Sequence, residues 1–442
     1  MSPTRRDFLK STGTAAAAAG LGVTPAFAQG APSQASGTKR RYAIVGTGVR
    51  GIGMWGRPLL QRYADNVEFV GLCDINPKRA ELAKQALGVS CPTFDNFEKM
   101  CDAVKPELLT VTTVDRFHAE YIVKALDRGI DVITEKPMVT DETQVRQVLE
   151  AEARNKRKIV VGFNYRFAPK HVKIKEILQS GEIGTVTGVD FHWYLDTSHG
   201  ADYFRRWHRL RQNGSLWTHK ATHHFDLINW WLAADPVEVQ AYGELSHYGA
   251  KGPFHNTNCR PCPNKGECKF YWDITKGRGM KLYTEAESVD GYLRDGCVFK
   301  NDIDIWDTMS ASIRYSNNVL MSYSLNTFMP IEGYHLAFNG TKGRLEVRDY
   351  ERQPWEVAED SDINVIRNFG KREKMVVPKA DSGHGGGDSR LQDLIFKKVD
   401  APEYLRLPDS RAGAMSCLTG IAARKSVIEK KPVKIADLVA IS

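Results

Sequence analysis

Lysine and histidine set the chemistry open to this chain. From Trp207 to Trp231 it reads WHRLRQNGSLWTHKATHHFDLINWW. Asn213, Gly214 and Ser215 read as a turn that opens a helix. On that helix His219 and His223 are four apart, on one face, and Asp226 lies three further on. Imidazole titrates near neutral pH, so His219 and His223 are candidates for proton transfer. The same pair can instead hold zinc, with His224 or Asp226 as a third ligand, although His224 points away from the His219/His223 face. A third reading makes them core or capping residues. Trp193, Tyr194, Tyr203, Trp207 and Trp217 lie close by in sequence and offer flat faces for a sugar ring, though core packing accounts for more than half of them. Lys136 follows a short strand, in Glu135-Lys136-Pro137. An ammonium beside a reacting hydroxyl stabilises developing alkoxide and eases loss of its proton.

These groups need a frame, and the frame begins at Arg41. Tyr42-Ala43-Ile44-Val45 reads as a buried parallel strand, followed at once by Gly46-Thr47-Gly48-Val49-Arg50-Gly51. A helical segment and a second apolar strand, Val67 to Leu72, lead to Asp74, 23 residues beyond Gly51. This is the βαβ pattern of a dinucleotide site. Gly46 allows the tight turn, Gly48 lets backbone approach a pyrophosphate, and Gly51 lets helix and strand lie close. The helix N-terminus offers N–H groups and a positive dipole end to phosphate. Asp74 can accept from a ribose 2′-OH, which favours NAD over NADP. Leu108 to Thr113 is a further strand whose end, Thr112 to His118, should face ligand; a helix then runs from His118 to Asp127, and Asp131 to Thr134 is another strand.

Four stretches now carry a family likeness: AIVGTGVRG, GLCDINP, EKPM at Glu135–Met138 and GFNYRFAP at Gly162–Pro169. From Arg41 to the C-terminus the chain resembles the glucose–fructose oxidoreductase, inositol dehydrogenase and rhizopine-catabolism family. The likeness implies an α/β fold: an N-terminal Rossmann dinucleotide-binding domain, then an α+β domain with an open, mostly antiparallel sheet. It implies a substrate on one face of that sheet, Lys136 between nicotinamide and substrate, and Glu135 against the nicotinamide ribose. The cofactor side is expected to comprise Gly46, Thr47, Gly48, Arg50, Gly51, Asp74, Thr112, His118, Glu135, Lys136 and Asn164. The substrate side is expected to comprise Arg166, Trp207, Asp226 and His384, with Lys136, His219 and His223 catalytic. Dehydrogenases of the family carry Asp, then His four later, then Asp; here His219 stands at the first position. That change, with Gly214-Ser215-Leu216-Trp217-Thr218-His219 and the GHGGGD at Gly383–Asp388, resembles the NAD-dependent glycoside hydrolases of family 109. Those lack the EKP. The leading expectation is an NAD(H)-dependent oxidoreductase acting on a sugar. The alternative is a redox-neutral glycosidase with His219 as base, and the third is a non-catalytic sugar-binding protein.

The N-terminus reads as an address. Thr4-Arg5-Arg6-Asp7-Phe8-Leu9-Lys10, a small-residue apolar stretch and Ala26-Phe27-Ala28 look like a twin-arginine signal peptide over residues 1–28. That route carries folded proteins through its own export machinery, to the periplasm or beyond. Outside the cytoplasm no free nucleotide pool is expected, so NAD must be tightly bound and recycled within each turnover. Residues 29–40 read as a linker, 41–165 as the Rossmann domain, and 166–442 as the substrate and oligomerisation domain. A cysteine-containing insert is placed at 255–300. There Cys259, Cys262, Cys268 and Cys297 suggest a staple, either structural zinc or disulfides, with an iron–sulfur cluster a weaker option. Cys73, Cys91, Cys101 and Cys417 read as buried thiols. The 442 residues are 42% hydrophobic, with 61 Lys+Arg against 53 Asp+Glu. The basic residues are scattered, which argues against nucleic acid, and nothing past the signal approaches a membrane span. The family likeness adds an expected homo-oligomer.

Overall fold

Strand β1 (Arg40–Val45) buries Tyr42, Ala43, Ile44 and Val45 on both faces, as the inner strand of a covered parallel sheet must. The computed structural model describes residues 38–356, 360–378, 380 and 383–441; the signal and the linker up to residue 37 lie outside the described residues. After β1 a π-helical turn, Gly51–Gly56, leads into α1 (Arg57–Arg62) and β2 (Val67–Cys73). Helix α2 (Pro77–Leu87) starts where the Asn76 side chain accepts from the Arg79 N–H and stops at left-handed Gly88. There follow β3 (Thr93–Phe94), α3 (Phe97–Val104), β4 (Leu108–Val111), α4 (His118–Asp127), β5 (Asp131–Thr134), α5 (Glu142–Asn155) and β6 (Ile159–Val161). The six strands pair in parallel in the order β3-β2-β1-β4-β5-β6. The order reverses at β1/β4, and there the strand ends open a crevice for ligand.

The second half opens with α6 (Pro169–Gln179), β7 (Val186–Asp196), α7 (Thr197–Arg205), α8 (Ser215–His219), α9 (Ala221–Leu232) and β8 (Pro236–Glu244). Two single-turn helices, α10 (Lys281–Thr284) and α11 (Glu287–Asp290), precede strands β9 (Thr308–Tyr315), β10 (Leu320–Met329), β11 (Glu332–Gly340) and β12 (Gly343–Arg352). The chain continues through β13 (Asp360–Arg367), β14 (Arg372–Pro378), α12 (Gly387–Phe396), α13 (Ser410–Glu429), β15 (Val433–Lys434) and α14 (Ile435–Leu438). The nine-stranded sheet runs β14-β13-β12-β11-β7-β10-β9-β8-β15; β7 and β10 are parallel and every other pair is antiparallel. Along β9, Met309, Ala311, Ile313 and Tyr315 are buried, while Ser310, Ser312 and Arg314 are exposed. One face therefore packs against helices and the other is polar.

Helix α13 joins the halves. The Ser416 hydroxyl donates to the Thr222 carbonyl on α9, the Ser426 hydroxyl takes the Ala241 N–H of β8, and Lys425 pairs with Glu142 of α5. Gly420 lies against α8, where any Cβ would run into the Trp217 carbonyl. The histidine helix departs from the sequence reading. It is two helices, α8 and α9, joined at Lys220, and His219 closes the first.

Candidate active site

A cleft of about 640 Å³ runs between the two sheets. From the parallel half it is lined by Gly46, Gly48, Arg50, Asp74, Thr112, His118, Glu135 and Lys136; from the other half by Tyr203, Trp207, His219, Lys220, His223 and His384. Lys136 comes to it from the end of β5, and His219 and His223 come from the α8–α9 joint.

The glycine loop fits a dinucleotide. Gly46 has φ +87°, and a Cβ there would lie 2.6 Å from the Thr112 carbonyl carbon and the Thr113 nitrogen, so the loop lies flat on the end of β4. Asp74 closes β2, but its carboxylate is already engaged. Oδ2 accepts from the Thr47 N–H (2.9 Å) and hydroxyl (3.1 Å); Oδ1 accepts from the Asn76 N–H (2.9 Å) and Arg79 (3.2 Å). A ribose hydroxyl would have to displace one of these. Thr47 reaches Asp74 and does not line the cleft, and Gly51 sits beneath the loop. His118 lines the cleft, but its nitrogens lie against the Pro137 (2.7 Å) and Thr113 (3.1 Å) carbonyls, so the ring is tied to backbone. Glu135 accepts from Arg50 (2.6 Å) and the Trp55 indole (2.8 Å).

The polar centre is Asp115, His219 and Lys136. His219 Nδ1 lies 2.6 Å from Asp115 Oδ2, and Lys136 Nζ lies 3.1 Å from the His219 carbonyl and 3.3 Å from His219 Nε2. Burial brings the Lys136 amine down to about 7; the carboxylates of Asp115 and Glu135 oppose this without cancelling it. Burial pushes the Asp115 carboxyl up and the His219 imidazole down, while Lys136 and Arg206 pull Asp115 back towards carboxylate. A neutral amine has two N–H donors and one lone pair. The His219 carbonyl and Nε2 can take both donors, which leaves the lone pair for the cleft. His223 is stacked on Tyr165 at 4.3 Å, and its buried Nδ1 has no partner among the described residues.

Several sequence expectations change. Arg166 and Asp226 do not face the cleft: Arg166 Nε and Nη2 clamp the Asp226 carboxylate at 2.8 and 2.5 Å, and burial pushes Asp226 up to about 6 against that pairing. Asn164 is also off the cleft; its amide donates to Asp388, which in turn holds His384 Nδ1 at 3.0 Å. Burial alone would raise Asp388, but His384 and Arg50 hold it at about 2. The zinc set of His219, His223 and Asp226 or His224 does not form. Asp226 is taken by Arg166, and His224 stacks on Trp193 at 4.1 Å with Nδ1 2.7 Å from the Tyr323 hydroxyl. Among the described residues, the set whose ligand atoms all lie within 4.8 Å of one another is Asp115, His208 and His219. There Asp115 Oδ2 already lies on His219 Nδ1 and Lys136 Nζ lies beside His219 Nε2, so the Asp115 and His219 ligand atoms are engaged within the protein. Cys259, Cys262, Cys268 and Cys297 surround one small cavity, yet all are free thiols and no three meet that distance. The Arg205 guanidinium donates to Cys259 Sγ at 3.1 Å, and Phe254 and Phe270 line the same space. Cys73, Cys91, Cys101 and Cys417 are buried thiols as read, and burial raises each.

Among the cleft residues not singled out in the sequence, three bear on the chemistry or on the glycine loop. Asp115 lies in the strand-end stretch Thr112 to His118, whose position was the signal. Lys220 lies between the two histidines, where helical spacing turned it off their face. Tyr283 comes from far along the chain: its hydroxyl lies 3.2 Å from the Val49 N–H, and nothing local announces it.

The chain belongs to the oxidoreductase family with an NAD-binding Rossmann fold and a C-terminal alpha/beta domain. Its residues 40–163 match the first family model and 175–435 the second. Residues 2–22 match the twin-arginine translocation pathway signal sequence, so the protein is exported by that route. It is similar to YteT of Bacillus subtilis (strain 168), 40% identical over 422 residues, covering 90% of this chain and 98% of YteT. It is also similar to inositol 2-dehydrogenase of Salmonella paratyphi B, 29% identical over 199 residues, 44% of this chain and 56% of that enzyme. Among solved structures the oxidoreductase domain protein from Kribbella flavida superposes with TM-score 0.66 at 16% identity, covering 90% of this chain and 99% of that one.

Proposed function

We propose that this exported oxidoreductase oxidises a hydroxyl-bearing carbon of a carbohydrate with NAD that stays bound through the catalytic cycle, the hydride then passing to a second, carbonyl-bearing substrate that regenerates the bound NAD. The observation that carries the reading is the contact of Lys136 Nζ with His219, in a cleft whose other wall is the glycine loop. Nicotinamide, when bound, supplies the hydride acceptor. Neutral Lys136 accepts the hydroxyl proton with its free lone pair, while its N–H groups stay on His219. Asp115 holds the His219 ring through Nδ1, so Nε2 stays an acceptor towards Lys136. His223 and the Trp207 face, both lining the cleft, orient the ring of the sugar. The inositol dehydrogenase among the relatives supports a cyclic polyol or sugar as substrate.

Retention of the cofactor is supported by the segment carrying α10 and α11. It folds over the nucleotide end of the cleft through several bonds. Tyr283 meets Val49, the Leu282 carbonyl and Asp290 take Arg79 at 3.3 and 2.6 Å, and the Ala286 carbonyl takes the Asn76 amide at 2.9 Å.

The deciding experiment incubates purified mature protein, without added cofactor, with free sugars and with aryl glycosides. Near-ultraviolet absorbance of reduced nicotinamide after a free sugar is added supports the reading. Release of aglycone over many turnovers, with no net reduction, replaces it with the redox-neutral glycosidase.

A further inference from the structure

Lys220 is an ammonium walled into the protein without a counter-ion. It is 3% exposed, at the joint of α8 and α9. Its one hydrogen-bond partner among the described residues is the Tyr165 hydroxyl, at 3.4 Å. Its Nζ lies over the Trp193 ring at 4.8 Å and the Tyr165 ring at 5.6 Å. It forms no ion pair among the described residues. Glu332 and Glu351 attract it from a distance and Arg352 repels it, but neither carboxylate forms an ion pair with it, and Glu332 is engaged by His199 Nδ1 (2.9 Å) and the Asp196 N–H (2.8 Å). Arg206, by contrast, holds Asp202 at 3.0 Å. A buried charge without a partner is costly, and this one borders the cleft beside His223 and His384. Burial accordingly lowers its pKa.

We infer that Lys220 is the seat of an anionic substituent, and that the carbohydrate this enzyme takes carries a carboxylate, as a uronate or aldonate does. The inference rests on the carbohydrate reading above and names its substrate class. One ammonium matches one carboxylate; a phosphate dianion would leave a charge unmatched. Aromatic walls exclude water from the pair, so the ion pair forms in a medium where it counts for more than at a surface. Lys220 thus selects the substrate, while Lys136 acts at the reacting hydroxyl.

The test uses the NAD-loaded mature protein and matched pairs, galacturonate with galactose and glucuronate with glucose, plus glucose 6-phosphate. Reduction of bound nicotinamide and calorimetric binding are both measured for wild type, K220M and K220R. The wild type is expected to favour each uronate over its neutral partner. K220M should lose about thirtyfold or more in kcat/KM on the uronate, mostly in KM, and at least about tenfold more than on the neutral sugar; K220R should restore part of it. Equal losses on both members of a pair overturn the inference, as does preference for the neutral or phosphorylated sugar. If no sugar reduces the nicotinamide, binding decides. Uronate binding that K220M abolishes upholds the anion seat while removing the redox reading, and absence of uronate binding overturns the seat. K220M protein that fails to retain NAD is set aside, and K220Q is read by the same criteria.

Discussion

A lysine packed against a histidine and closed off from water holds its proton less firmly than one in solvent, and at Lys136 the difference reaches pH 7. The neutral amine is the form that can accept a proton. The sign follows: kcat/KM should rise with pH through about 7 and then level, because the active form is the deprotonated one. The folded chain gives up that proton and the unfolded chain keeps it, so the same group lowers stability below about pH 7. That cost shrinks as pH climbs towards the ordinary lysine value. Lys136→Arg keeps a permanent charge, so it should lower kcat by about a hundredfold or more and abolish the rise; a steady-state pH profile checks both. Asp115→Asn should leave the cleft intact but free the His219 ring to turn, lowering kcat more than it changes KM.

Two elements carry consequences beyond their own residues. The α10–α11 segment holds the glycine loop through Tyr283. Tyr283→Ala should speed NAD release about tenfold, measured as nucleotide lost on gel filtration, with the fold unchanged by circular dichroism. Retention unchanged in that variant would remove the segment's role in holding the cofactor. Helix α13 presses Gly420 against the backbone of α8, the helix that ends in His219. Gly420→Ala should therefore cost about 1–3 kcal/mol in a denaturant titration. It should also lower kcat, because α8 must move to admit the methyl group.

At the scale of the whole molecule, export and chemistry constrain each other. The twin-arginine match over residues 2–22 means that the folded chain leaves with whatever it has bound. Arg5→Lys with Arg6→Lys should leave the protein in the cytoplasm, still able to bind NAD, as fractionation and nucleotide content would report. The nine-stranded sheet, expected to mediate self-association, presents polar Ser310, Ser312 and Arg314 along β9, so any partner there would meet hydrogen-bonding groups more than an apolar patch.

Local sequence determined much of this. The parallel sheet, the glycine loop, the helix His118–Asp127 and Lys136 at a strand end could be read directly, because strand burial, glycine geometry and strand-end loops depend on neighbours in the chain. The export signal was readable for the same reason. Tertiary structure decided which of the polar residues share the cleft. Arg166 and Asp226 have the right types, yet satisfy one another as a pair away from it. His219 finds Asp115 across 104 residues and Lys136 across 83, and Tyr283 meets Val49 across 234. Spacing along one helix cannot report such meetings, because each depends on how two sheets and the helices between them pack. Lys220 makes the same point: between two histidines it reads as an ordinary helical lysine, and only burial without a counter-ion marks it as a binding group.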